Sequence, residues 1–404
     1  MRKLLATSAL SALFAIFFTI GGFAQTESVL ASKNVKGRNW SPDIAVDEKG
    51  NAVVVWIFTN DENTIHHIYA ASVNAKGSKL KSKKAIRISG NIQRNRYPTI
   101  RYQELSGTFL VAWEAEGDDR YSIRTRELDR FGKPVGSEKQ LISSDSGFFL
   151  LRPILAPVER ARKLKKSYVL VWYQVDSNTK RGAWSAVLSS SGEMSKKPKL
   201  VMETLYGSSS SPEVHPTSLT SNPNGGYLLG VSRIESDDFQ TQRGHLIQLN
   251  KAGKKKKETP INGGDTVGFV SGDAVSEDRI LVTSYDYNLA TTTNQVFDSS
   301  LNPVGEPYDA YSNTTNGTIL VRVGERLFQI FAITFFGFSI AEYAENGEVL
   351  APPALIQSEL PLNSLSKAVS VPGTQTILMV SKVTMLNDPG QKIYCIRYDV
   401  PEQN

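Results

Sequence analysis

A chain of 404 residues with 21% charged and 40% hydrophobic residues has a globular balance, which excludes a largely disordered polypeptide. A single cysteine, Cys395, excludes an intramolecular disulfide and a multi-cysteine zinc centre, and four histidines leave little for a histidine-rich metal site. A net charge of +6 is too dilute over this length for a nucleic-acid binder.

The chain opens on the basic run Met1-Arg2-Lys3, followed by an apolar stretch from Leu4 to Phe23. Gly22 and Ala24 place small residues where a signal peptidase reads. Residues 1–24 are therefore expected to be a cleaved signal peptide and 25–404 a single mature domain. Cleavage removes Arg2 and Lys3 and takes the net charge from +6 to +4. Export without disulfides suits a bacterial periplasm or exterior, so the expected location is periplasmic or secreted. Membrane association is expected only if the first segment is retained.

The remainder reads as one unit repeated seven times. The second strand of each unit is the clearest anchor: Ala52-Val53-Val54-Val55-Trp56, then Phe109-Leu110-Val111-Ala112-Trp113, then Tyr168-Val169-Leu170-Val171-Trp172. Weaker copies begin at Tyr227, Ile280, Phe328 and Thr376. Short apolar runs of this kind, bounded by turn residues, are the mark of buried strands. A first strand precedes each, opening on Pro42, Pro98, Pro153 or Pro216 in the first four units. A third strand follows and ends in a polar turn, Asn or Asp with Gly three residues on, as in Asn74 to Gly77, Asp129 to Gly132 and Asn250 to Gly253. A short fourth strand closes the unit, as in Ala85-Ile86-Arg87-Ile88. The spacing from Asn74 to Asp399 gives about 54 residues per unit, the scale of a propeller blade.

The expected fold is all-β: a seven-bladed β-propeller of four-stranded antiparallel blades. The last unit stops after its third strand, and Ser28-Val29-Leu30-Ala31-Ser32 resembles the missing fourth. That N-terminal strand is expected to pair with the last blade and close the ring, hiding two open sheet edges.

The G-x-x-x-V-x-W strand followed by an I-x-x-R-x-x-D-x-x-G hairpin, complete from Gly107 to Gly132, resembles the repeat of secreted bacterial β-propeller proteins in the sialidase-like superfamily. The resemblance covers roughly residues 28–404. Sialidase-type propellers carry an aspartate box, S-x-D-x-G-x-x-W, and no unit here has it complete. The resemblance therefore implies the fold and not sialidase activity.

In such a fold, loops joining second to third strands share one face with the loops between blades. Those loops read as acidic (Asp61-Glu62, Glu114 to Asp119, Glu235 to Asp238), and the opposite loops as basic (Lys79 to Lys84, Lys254 to Lys257). A disc with one acidic and one basic face is the expectation. Glu116, Asp118, Asp119, Asp237 and Asp238 are the candidate calcium ligands, although no D-x-D-x-D-G spacing is present. No other cofactor is expected. Phe335, Phe336 and Phe338 in the sixth unit, with Tyr285, Tyr287 and Phe239, form a candidate aromatic patch for a sugar face or a protein. Arg96, Arg152 and His215 lie at first-strand prolines and are candidates for an anion-binding cluster at the channel mouth. The expected role is non-enzymatic recognition of a glycan or protein by a monomer. The alternatives are a glycan-active hydrolase with its site at an acidic mouth, and an assembly scaffold.

Overall fold

The computed structural model describes residues 27–401, except 75, 78, 83, 118–119, 145–149, 159–166, 176–180, 206–213, 223, 237–240, 262–264, 313–317, 334–336, 345, 357–361 and 386–387. Every regular element described is a strand. After β1 (Glu27–Leu30), the first unit holds β2 (Arg38–Val46), β3 (Ala52–Thr59), β4 (His66–Val73) and β5 (Ile86–Arg87). The second holds β6 (Arg94–Gln103), β7 (Thr108–Gly117), β8 (Arg120–Leu128) and β9 (Lys139–Ser143). Next come β10 (Leu150–Pro157), β11 (Tyr168–Val175), β12 (Arg181–Leu188) and β13 (Lys199–Glu203), then β14 (Val214–Ser221), β15 (Tyr227–Ile234), β16 (Gln242–Leu249) and β17 (Lys255–Ile261). They are followed by β18 (Val267–Ala274), β19 (Arg279–Asp286), β20 (Thr291–Asp298) and β21 (Pro303–Ser312), and by β22 (Thr318–Val323), β23 (Arg326–Ile333), β24 (Gly337–Tyr343) and β25 (Val349–Ile356). The chain ends on β26 (Leu362–Ser370), β27 (Thr376–Met385) and β28 (Asp388–Asp399).

These strands form a propeller of antiparallel sheets. The sequence leads to seven separate four-stranded blades, and the structure corrects that count to five. The first two units instead share one eight-stranded sheet, because β4 touches β6 through a parallel pair, His66 with Arg94. The reason is local. β5 covers only Tyr69 and Ala70 of β4, which leaves the start of β4 open. The His66 backbone N–H donates to Gln93 O at 2.6 Å, and Asn95 Nδ2 donates to His66 O at 3.0 Å.

The ring closes through β1. It pairs antiparallel with β28, Glu27 opposite Arg397 and Leu30 opposite Tyr394, as the fourth strand of the β26–β28 sheet. The Ala31 backbone N–H continues the pairing to Ile393 O at 2.8 Å. A second tie crosses the seam, Asn39 Nδ2 to Gln391 O at 2.8 Å.

The core lies between neighbouring sheets. Second strands such as β3 and β7 are buried on both faces, which is why their sequences are continuous apolar runs and not alternating ones. Val111 and Trp113 pack toward the first unit, whereas Leu110 and Ala112 pack toward Leu155 and Trp172 of the third. Each buried indole needs an acceptor. Trp56 Nε1 donates to Asn39 at 2.8 Å and Trp113 Nε1 to Asn95 at 2.9 Å. The third unit has Leu150 where the first two have this asparagine, and Trp172 bonds Gln174 instead.

The x-x-Gly turns have a second function besides reversing the chain. They dock on the third strand of the preceding unit: Ser72 Oγ donates to Arg130 O at 3.1 Å, Ser185 Oγ to Gly253 O at 2.7 Å and, in the turn that opens on Ser189, Thr125 Oγ1 to Gly192 O at 3.0 Å. Gly192 combines a left-handed φ of 80° with this close approach, and a Cβ there would lie 2.6 Å from Thr125 Oγ1. Only glycine meets both demands.

Candidate functional site at the channel mouth

The first strands line the central channel, and their prolines shape its mouth. Proline does not open these strands, as the sequence suggests, but sits inside them at a bulge. The register slips between Trp40 and Asp43 on β2, Arg96 and Thr99 on β6, and Leu151 and Ile154 on β10. The proline has no N–H to offer a ladder, so the bulge places it where none is needed. At each bulge the residue before proline is left-handed: Ser41 at φ 47°, Tyr97 at 49° and Arg152 at 51°. None is glycine, so each carries strain of about 1–3 kcal/mol. All three line one cavity of about 480 Å³, the size of a small-ligand pocket.

Around this rim the side chains form a connected group. The exposed Arg152 lies over the Tyr97 ring, 5.4 Å from its centroid. Trp40 meets the rings of Tyr97 and His66 edge-on at 6.3 and 6.1 Å. Arg96 ion-pairs with Glu116 at 3.3 Å, and Arg94 reaches the same carboxylate at 3.0 Å. Glu114, two residues earlier on β7 and on the same face, is buried and accepts from the Arg152 backbone N–H at 3.4 Å. Burial pushes its carboxyl up to about 7, although the Arg152 N–H and the Arg96 charge oppose the shift. His66 is held below the usual histidine range by burial and by Arg96. His67 falls to about 4, through burial, Arg87 and His66. Both imidazoles are therefore neutral at pH 7.

The described lining of the mouth cavity is mainly basic. Arg101, Arg152 and Lys367 line the cavity with Asp43 as the lone carboxylate. Part of the expected acidic loop is strand, since β7 runs through Glu114 and Glu116 to Gly117. On the opposite face a cavity of about 920 Å³ is lined by Asp273, Glu277, Asp278 and Glu325 against Lys251 and Arg322.

The other candidates are placed as follows. Arg152 lines the cavity; Arg96 does not, and pairs with Glu116 on the strand whose Glu114 meets the Arg152 N–H. His215 is half-buried on β14 opposite Ser232 and does not line the cavity. Phe338 is buried in the core between the last two sheets. Tyr285 is buried as well, and only Tyr287, 59% exposed, presents a ring to solvent, edge-on to Tyr285 at 5.3 Å. These described rings do not make an open aromatic patch, because Phe338 and Tyr285 lie on strands covered by the neighbouring sheets. Phe239, Phe335 and Phe336 lie outside the described residues, as do Asp118, Asp119, Asp237 and Asp238. Glu116 is held by two arginines. Among the described residues no three His, Cys, Asp or Glu are grouped to hold a metal ion. Sequence reasoning missed Tyr97, Trp40, Arg101 and Lys367. The signal that marks two of them is the residue type just before or two before each first-strand proline.

No protein-family model and no curated protein matches the sequence. Solved structures do. A protein of unknown function from Dyadobacter fermentans is 10% identical, with a TM-score of 0.58 over 95% of this chain and 100% of that one. An α-L-arabinofuranosidase from Fusarium graminearum, solved with an iminosugar inhibitor, is 11% identical, with a TM-score of 0.50 over 94% and 98%. The subtype N10 neuraminidase-like protein of A/little yellow-shouldered bat/Guatemala/060/2010 is 10% identical, with a TM-score of 0.44 over 95% and 99%. At these identities the likeness shows the propeller fold alone.

Proposed function

We propose that this protein is an exported binding propeller that recognises an acidic glycan at the channel mouth. The observation that carries the reading is the rim itself. Three successive first strands hold a strained residue before proline, and all three residues face one cavity. Strain of this kind persists where the surroundings enforce it, and it collects at ligand sites. The chemistry of the rim suits a carboxylate-bearing sugar. Arg152 and Arg96 offer planar donors to a carboxylate, and Trp40 and Tyr97 offer ring edges and faces to the sugar's apolar side. The test is calorimetric titration with galacturonic acid and with neutral galactose. Saturable binding of the uronic acid, weakened about tenfold or more by Arg152→Ala, supports the reading. Equal affinity for both sugars, or indifference to Arg152→Ala, sinks it.

One observation favours a hydrolytic second reading. Glu114 has its carboxyl at about 7, and Glu116 follows at the next position on the same strand face. Glycosidase chemistry uses two carboxyl groups with different tasks, and these two share one strand face. Glu114 would be the acid in that chemistry. Release of reducing sugar from an acidic oligosaccharide, lost in Glu114→Gln while binding persists, would establish it.

A further inference from the structure

We infer that the channel holds a second anion site behind the mouth, formed by Lys367 and Arg101, so that the ligand taken there carries at least two acid groups. The inference deepens the reading of the mouth as an acidic-glycan site and rests on it. Arg101 comes from β6 and Lys367 from β26, the two first strands packed on either side of β2. Both side chains line the same cavity as Arg152. The carboxylate between them, Asp43 of β2, is already engaged. Its Oδ2 accepts from Arg101 Nη1 at 2.9 Å and from the Ile100 N–H at 3.0 Å, and its Oδ1 accepts from the Ile44 N–H at 2.8 Å. Asp273, the other carboxylate that Lys367 feels, accepts from the Ala274 N–H at 2.8 Å and lines the cavity of the opposite face.

Lys367 itself has no hydrogen-bond or ion-pair partner among the described residues. A half-buried ammonium beside an arginine is costly unless something pairs with it. The cost is visible in its titration: burial, and then Arg101, hold the amine down to about 8, against the opposing pull of Asp43 and Asp273. The surrounding wall supplies hydroxyls from Thr99, Ser271, Ser366 and Ser218, and the Ser218 Oγ is buried without a partner. An acid group entering this space restores the missing partner for Lys367 and meets donors on the wall. A ligand acid with one charge is satisfied at Arg152, whereas a second charge on the same molecule reaches a site that has no other use.

The experiment compares galacturonic acid, digalacturonic acid and neutral galactobiose by calorimetric titration of the full chain at low salt. The expected result is that digalacturonic acid binds about tenfold or more tightly than galacturonic acid at about pH 7. That advantage should shrink as pH rises through the Lys367 value of about 8. Lys367→Gln should abolish it, so that galacturonic and digalacturonic acid bind the variant alike. Lys367→Arg, which stays charged, should keep it above that pH, and this restoration guards against a folding defect in the glutamine variant. Digalacturonic acid binding no tighter than the monomer, or an advantage that survives Lys367→Gln, overturns the inference while the mouth reading stands. Failure of galacturonic acid to bind, or binding indifferent to Arg152→Ala, overturns the mouth reading and this inference with it.

Discussion

Replacing Glu114 by glutamine is expected to stabilise the protein at alkaline pH and to flatten its pH dependence. Glu114 is 1% exposed on β7, its Oε2 meets only the Arg152 N–H at 3.4 Å, and its Oε1 has no partner. Burial raises its carboxyl from an ordinary 4.5 to about 7 in the folded protein, and the unfolded chain returns it to the ordinary value. Between about pH 4.5 and pH 7 the folded state therefore holds a proton that the unfolded state has released. Stability falls with rising pH wherever the folded state binds more protons. The difference corresponds to about 3 kcal/mol, fully present below the unfolded value and lost once pH passes about 7. Glutamine keeps the shape and an acceptor for the Arg152 N–H but never ionises. The variant should match the wild type near pH 4.5 and exceed it by up to about 3 kcal/mol near pH 8.5. Urea unfolding at a series of pH values measures this directly. Parallel pH profiles for the two proteins would refute the argument, because they would show that Glu114 titrates alike in both states.

Other perturbations probe the frame. Gly192→Ala should cost about 1–3 kcal/mol through its left-handed backbone and its contact with Thr125, read by the urea midpoint. An unchanged midpoint would show that the turn is not wedged. Deleting residues 27–32 removes β1 and its bonds to Ile393, and should lower the melting temperature by several degrees and promote association through the bared β28 edge. A truncated protein that melts like the full chain would show that the closure carries no stability. Asn95→Leu leaves the Trp113 indole N–H without its acceptor and removes the side-chain amide that donates to the His66 carbonyl, for a loss of about 1–3 kcal/mol. Trp113→Phe placed on top should recover part of that loss, and no recovery would mean the indole bond is not the cause.

The Trp-bearing strands, the Asn/Asp-x-x-Gly turns and the stray strand at Ser28 to Ser32 are legible in the sequence because each is a local pattern. Burial on both faces writes a continuous apolar run. A left-handed turn needs glycine at one position. A missing fourth strand leaves a gap that one segment matches. The union of the first two units is not legible, since it depends on β5 stopping after two residues and leaving His66 open to β6. The burial of Phe338 and Tyr285 is not legible for a similar reason: it depends on the sheets packed against β24 and β19, which composition does not record.

The mouth was half visible. Arg96 and Arg152 stand out because they neighbour the first-strand prolines. Their setting does not. Tyr97, Arg101, Trp40 and Glu114 come from β6, β2 and β7 of the two joined units, and Lys367 comes from β26, which only ring closure brings beside them. The sequence by itself determined the strand period, the turn chemistry and the closing strand, because these follow from bonds and burial within one unit. Which charges line the cavity was decided by the tertiary structure. A charge counts at the channel only if its strand position points inward, and that depends on bulges and packing between units, which no single stretch of sequence contains.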